Sequence, residues 1–212
     1  MMSTRVMLIN TAGSRLCQAA TIAIRYSCVR KQGFKSFESG ITYRSDENTI
    51  IDYKIQQYRL FKYLALAYAL KFNGIWMMDQ LKIIEGGEYG VIKNTDGLKE
   101  LAQTAAGLKS LSSMICYYGI EDLRKSCGGN GYLLNSGIGS MRITYLWQIT
   151  GEGDLVILAL QTANFLFKTI ESAIAGGKCS GVVDYFVVFN NKNFNLNTLH
   201  PSQAKKSVEF VA

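Results

Sequence analysis

Apolar residues recur at three- and four-residue steps through four long stretches of the chain, the period of an α-helix. Val6, Ile9, Leu16, Ala20, Ala23, Ile24 and Val29 mark the first, over residues 5–32, which Gly33 stops. A second runs from Asn48-Thr49 to about Glu85 and carries Ile51, Ile55, Tyr58, Leu60, Phe61, Leu64, Ala65, Tyr68, Phe72, Ile75 and Met78. Gly86-Gly87 ends it. Thr95-Asp96 is an N-cap signal for a third, striped by Leu98, Leu101, Ala105, Leu108, Leu111, Ile115, Tyr118 and Leu123. The fourth begins near Asp154, continues to about Ile174 and closes at Gly176-Gly177. Residues 33–47 are polar and turn-rich, and 133–150 are mixed, with an aromatic patch at Tyr145 and Trp147. Val182 to Phe189 suits strand or helix, and 190–212 reads as a loose tail.

Helices of this length must bury their apolar faces against one another, which predicts an all-α fold, an antiparallel bundle of long helices. The expected organisation is a helical bundle domain over 1–175 and an extension over 176–212. Such helices also expose more apolar surface than a few neighbours cover, so the expected state is an oligomer, a homodimer in the simplest case.

Composition agrees. Of 212 residues, 48% are apolar and 18% charged, enough for a core. The single proline, Pro201, leaves every helical stretch uninterrupted. No uncharged apolar run reaches the ~18 residues of a membrane span; the longest candidate, Leu155 to Phe167, contains Gln161, Thr162 and Asn164. The start lacks the ordered regions of a signal peptide, and the end, Phe210-Val211-Ala212, is not a Ser-Lys-Leu-type peroxisomal address. Five scattered cysteines form no C-x-x-C pair, which argues against a disulfide framework or zinc site. With His200 as the only histidine, a Ser-His-Asp or poly-His metal mechanism has little basis. The net charge of +7 attracts anions, but no arginine-rich block with interleaved aromatics accompanies it, so nucleic acid is not an expected partner.

Three segments stand out. In Cys127-Gly128-Gly129-Asn130-Gly131-Tyr132 the glycines permit positive φ and close approach of a ligand or helix; the simpler reading is a helix-ending turn. In Thr150-Gly151-Glu152-Gly153-Asp154, Asp154 sits at the cap of the fourth helix. Glu152, pinched between glycines before the helix, can project into a cavity. The basic cluster within Ala23 to Gln32 is well explained by a helix C-terminus, where the dipole favours cations; the functional reading is a set of cations for pyrophosphate.

Taken in order, Thr21 to Gln32, Ile50 to Phe61 (IIDYKIQQYRLF), Thr104 to Leu108 (TAAGL), Cys127 to Tyr132 (CGGNGY) and Glu152 to Leu166 (EGDLVILALQTANFL) resemble the acyl-CoA oxidases, from about Arg5 to about Tyr185. Glu152 follows Gly128 by 24 residues, similar to that family's spacing between its Gly-Gly turn and its catalytic glutamate. Leu155, Asn164 and Lys54 depart from the asparagine, arginine and glutamine usual at those places.

The resemblance implies FAD-dependent oxidation of a fatty acyl-CoA to the trans-2-enoyl-CoA, with molecular oxygen reduced to hydrogen peroxide, in the peroxisome. It makes Glu152 the catalytic base and Gly153 a substrate contact, and it places Arg30, Gln32, Gly128 and Gly129 at FAD, some of them at the neighbouring subunit's. It leaves Arg25 a structural residue. No metal is required. It further implies that a preceding helical domain, a β-domain and a following helical domain complete the family's chain. Two other readings stay open: an acyl-CoA dehydrogenase, and a non-catalytic helical dimerisation module derived from the oxidase.

Overall fold

The computed structural model describes residues 2–34, 47–86, 92, 93, 95, 97–179 and 181–190. The expected tail over 191–212, with His200, lies outside them, as do Gly87 and Asp96. Five helices dominate: α1 (Met2–Val29), α2 (Lys54–Glu85), α3 (Leu98–Ser126), α4 (Ile138–Tyr145) and α5 (Leu155–Ile174). A short antiparallel pair, β1 (Lys31–Phe34) and β2 (Glu47–Thr49), lies between α1 and α2. The chain divides into two compact units, Met1–Gln161 and Thr162–Ala212.

In the first unit the bundle directions follow from which residues meet. Gly74 of α2 lies against Asn10 of α1, Gly13 against Lys71, and Gln56 bonds Ser27, so α2 descends as α1 rises. α3 rises again: Gly119 lies against Leu16, and Arg59 of α2 meets Asp122. One end of the core holds Val6, Ile9, Met77, Leu81, Ile84, Leu101 and Ala105. The other packs Leu16, Ala20, Ala23, Leu60, Cys116, Ile120 and Leu123 with Ile138 and Tyr145 of α4. A Cβ on Gly74 would stand 2.6 Å from the Asn10 Cα, and one on Gly13 2.6 Å from the Lys71 amide nitrogen. Glycine is therefore what lets α1 and α2 cross backbone to backbone.

The four long helices stand where the apolar period puts them, with corrections at their ends. α1 stops at Val29, because Lys31 onward turns extended and the Arg30 carbonyl accepts the Ile50 N–H at 2.9 Å. The same pairing delays α2 to Lys54; the residues before it form β2 and a 3-10 turn, closed by a 2.6 Å bond from the Thr49 hydroxyl to Asp52. α3 is capped by Gly97 in the left-handed region, with no side-chain cap. Asp154 caps α5 as expected, accepting the Val156 N–H at 2.9 Å. Val182 to Phe189 lies in a 3-10 helix, Gly181–Asn190. In the second unit Ala173, Val183 and Phe186 form a small core.

α2 departs most from expectation. Its inward stripe is Leu60, Ala67, Leu70, Gly74, Met77, Leu81 and Ile84. Ile55, Tyr58, Tyr68, Phe72 and Ile75 belong to a second stripe that stays exposed, Ile55 at 70% and Phe72 at 65%. One flank of α2 meets α1 and α3; among the described residues, nothing covers the exposed side chains of the other.

Candidate functional site

The candidate residues fall at opposite ends of the first unit. At one end, the close of α1, the start of α2 and the close of α3 surround a cavity of about 650 Å³. Arg30, Gln32, Gly128 and Gly129 all line it, with Tyr26, Tyr53, Gln56, Arg59, Lys125 and Asn130 among its other walls. Arg30 is carried on the first residue past α1, and its main chain is fixed on both sides by bonds to Tyr26 and Ile50. The Gln32 carbonyl accepts the Tyr53 hydroxyl at 2.8 Å. Gln56 spans the floor, donating to the Ser27 hydroxyl at 3.1 Å and the Ser126 carbonyl at 2.8 Å.

The Gly-Gly turn forms because α3 ends at Ser126 and a 3-10 turn, Gly128–Gly131, follows. Gly128 has φ 60°, and a Cβ on Gly128 or Gly129 would have nothing within 4 Å, so bare main chain faces open space. Gly131 has the contrary role, since its missing Cβ would collide with the Arg124 carbonyl. Asn130 reaches across to the Tyr26 hydroxyl at 2.7 Å. Arg59 is engaged by Asp122 at 2.7 Å, whereas Glu121 faces Arg124, Lys125 and Arg142 together. Its hydrogen bond from Arg124 holds the Glu121 carboxyl below the usual carboxylate range. With Arg30 exposed at the rim, the cavity has a surplus of positive charge.

Bare glycine main chain, cationic rim and polar floor fit a dinucleotide's pyrophosphate and one of its ends. Arg30, Gln32, Gly128 and Gly129 are thus brought together as a candidate FAD wall. Arg25 is exposed and does not line the cavity.

Glu152 and Gly153 lie at the other end. The Arg5 guanidinium donates from Nε to the Glu152 carbonyl at 3.0 Å. Arg5 and Arg30 are separated by 25 residues of sequence, which at 1.5 Å per residue is about 37 Å along α1. Glu152 does not line the cavity. It is half-buried and the only non-glycine residue with positive φ among the described residues, at 60°. That conformation costs a side-chain-bearing residue about 1–2 kcal/mol. The turn is crowded on both sides: a Cβ on Gly151 would press on Trp147, and one on Gly153, with φ 121°, on Leu158.

Lys109 is what sequence reasoning missed. It stands on the buried face of α3, fully enclosed, and donates to the Ile149 carbonyl at 3.1 Å and the Gly153 carbonyl at 2.6 Å. Burial pushes its pKa down and Arg5 adds to that, while Asp154 and Glu152 act against it. A lysine directly after Leu108 on an apolar stripe was the available signal. Gly153's own N–H donates to the Thr150 carbonyl at 3.2 Å, whereas the Glu152 N–H donates to none of the described residues.

The family model described as acyl-CoA oxidase, C-alpha1 domain, matches residues 1–167. The chain belongs to the acyl-CoA oxidase family. It is 39% identical to rat peroxisomal acyl-coenzyme A oxidase 1 over 186 residues, 87% of this chain and 27% of that protein. The structure of Arabidopsis thaliana acyl-CoA oxidase 1 superposes with a TM-score of 0.77 at 38% identity, over 90% of this chain and 28% of that one. Caenorhabditis elegans acyl-CoA oxidase-1, complexed with FAD and ATP, gives 0.77 at 28% identity, over 87% and 27%. The chain thus spans little more than a quarter of the acyl-CoA oxidases it matches. Both candidate regions fall inside the matched residues.

Proposed function

We propose that this chain supplies the general base and one wall of the FAD site to a peroxisomal acyl-CoA oxidase, which converts a fatty acyl-CoA and O2 to the trans-2-enoyl-CoA and H2O2. The observation that carries the reading is the Glu152 turn: a strained, glycine-flanked carboxylate tied to α1 and α3, within a segment that matches the oxidases.

Loss of the α-proton of a thioester needs a base held at that carbon, and a carboxylate suits the task. Glu152 takes the proton and becomes the neutral acid. As it does so the thioester oxygen gains enolate character and needs a donor. The Glu152 N–H, free of partners among the described residues, can fill that place, while the Gly153 N–H is already used within the turn. Gly153 then serves substrate binding indirectly, because its φ of 121° and its close fit against Leu158 shape the turn that carries Glu152. When bound, FAD supplies the acceptor for the hydride leaving the β-carbon. Arg30 and Lys125 offer charge to its pyrophosphate, Gly128 and Gly129 let it approach their main chain, and Gln32 offers a polar contact.

The rise of about 37 Å along α1 between Arg5, which holds Glu152, and Arg30 supports a reading in which Glu152 and the FAD wall of one chain serve different centres. On this reading each centre is composite, with Glu152 from one copy and the Arg30 wall from another. The uncovered stripe of Ile55, Tyr58, Tyr68, Phe72 and Ile75 supports assembly.

The test is a chimera in which residues 1–167 replace the matching segment of Arabidopsis thaliana acyl-CoA oxidase 1. Retained flavin, with palmitoyl-CoA-dependent oxygen uptake and stoichiometric peroxide, is the expected result. Enoyl-CoA formation only with an artificial electron acceptor indicates a dehydrogenase instead. A dimer that holds no flavin indicates a scaffold.

A further inference from the structure

The Glu152 turn is pinned from outside by three side chains on two helices. Arg5 of α1 donates to the Glu152 carbonyl, Lys109 of α3 to those of Ile149 and Gly153, and the Ser110 hydroxyl of α3 to that of Leu155 at 2.8 Å. Of these, only Lys109 joins the two arms of the turn, the residue before Thr150 and the residue after Glu152. Its side chain is fully enclosed, so water does not replace a lost bond at low cost. A buried lysine whose hydrogen bonds end on main-chain carbonyls also serves packing poorly, because an apolar residue of the same length fills the space without desolvating a charge.

We propose that Lys109 is a positioning residue for Glu152: by drawing the Ile149 and Gly153 carbonyls to one ammonium, it closes the loop and fixes the left-handed Glu152 main chain. This rests on the reading of Glu152 as the base. The hydrogen bonds of the Lys109 ammonium end on main chain, which places it to act on the reaction through the orientation of its neighbour. The effect is preorganisation. A carboxylate whose main chain is locked meets the α-carbon without a search, whereas a loose turn spends most of its time elsewhere.

Two variants test it in the purified chain. Lys109→Met keeps length and removes every donor; Lys109→Gln keeps a donor that falls short of bridging both carbonyls. Hydrogen–deuterium exchange at the Gly151 and Gly153 amides, which bond the Trp147 and Thr150 carbonyls, reads the turn directly. The expected result is exchange there at least about tenfold faster, with the amides of α1, α2 and α3 unchanged. In the flavin-loaded chimera the same variants lower kcat about tenfold or more and move KM by less than about twofold. Unchanged exchange at Gly151 and Gly153, equal acceleration throughout the bundle, or failure of both variants to fold overturns the proposal. Should exchange respond as expected while Glu152→Gln keeps full turnover, the base assignment fails and the pinning of the turn by Lys109 stands.

Discussion

Glu152→Gln in the chimera is expected to reduce palmitoyl-CoA-dependent peroxide formation by about 10²- to 10⁴-fold, the range a positioned general base contributes. The amide matches the carboxylate in size and keeps its main chain, so the fold and the retained flavin are expected to be unchanged. What it loses is the capacity to accept a proton. The defect therefore belongs in kcat, measured as oxygen uptake at saturating substrate, with little change in KM. Turnover within about twofold of wild type would remove Glu152 from the chemistry. Glu152→Asp separates charge from placement: it retains a base but withdraws it by one methylene, and an intermediate rate is the expected outcome.

Arg30→Ala is expected to weaken flavin binding about ten- to a hundred-fold, the loss of a charge-assisted hydrogen bond to an anion. Arg30 stands at an exposed rim, so the lower part of that range applies in high salt and the upper part at low ionic strength. Flavin fluorescence titration against the apoprotein measures it. Arg25→Ala is the control: that side chain is exposed and does not line the cavity, and its removal leaves the titration unchanged. Equal losses in the two variants would mean that net charge, and not the site, attracts the cofactor.

Much of this was legible from residue order, for reasons that differ by residue. The long helices announce themselves because an apolar stripe repeated over about five to nine turns leaves no competing period. α4 does not. It has eight residues, Gly139 interrupts it, and only Ile138 and Tyr145 are buried, too few points to define a period. β1 and β2 are shorter still, at four and three residues, and pair across the segment between Phe34 and Glu47. On α2, apolar spacing identifies two stripes and gives no ground for choosing between them; what neighbours the helix decides that Leu60 and Met77 face inward and Tyr58 and Phe72 do not.

The two halves of the candidate site differ in the same way. Glu152 was visible because a carboxylate between two glycines is a local pattern, and its φ of 60° is the conformation such flanking residues permit. Gly128 and Gly129 were visible as a turn. Lys109 was not, because its partners are carbonyl oxygens, and every residue has one. Nor does spacing along the sequence reveal that Arg30 and Glu152 belong to opposite ends of one helix. That placement, on which the proposed composite centre rests, is read from the contact between Arg5 and Glu152.

The most direct measurement of that centre mixes two inactive chimeras, one carrying Glu152→Gln and the other Arg30→Glu, by co-expression. If each centre draws Glu152 from one copy and Arg30 from another, half of the dimers are mixed and each mixed dimer has one intact centre. Peroxide formation then returns to about a quarter of the wild-type rate. Activity no greater than the sum of the two parents would contradict the account, because it would put both residues in the same centre of the same chain.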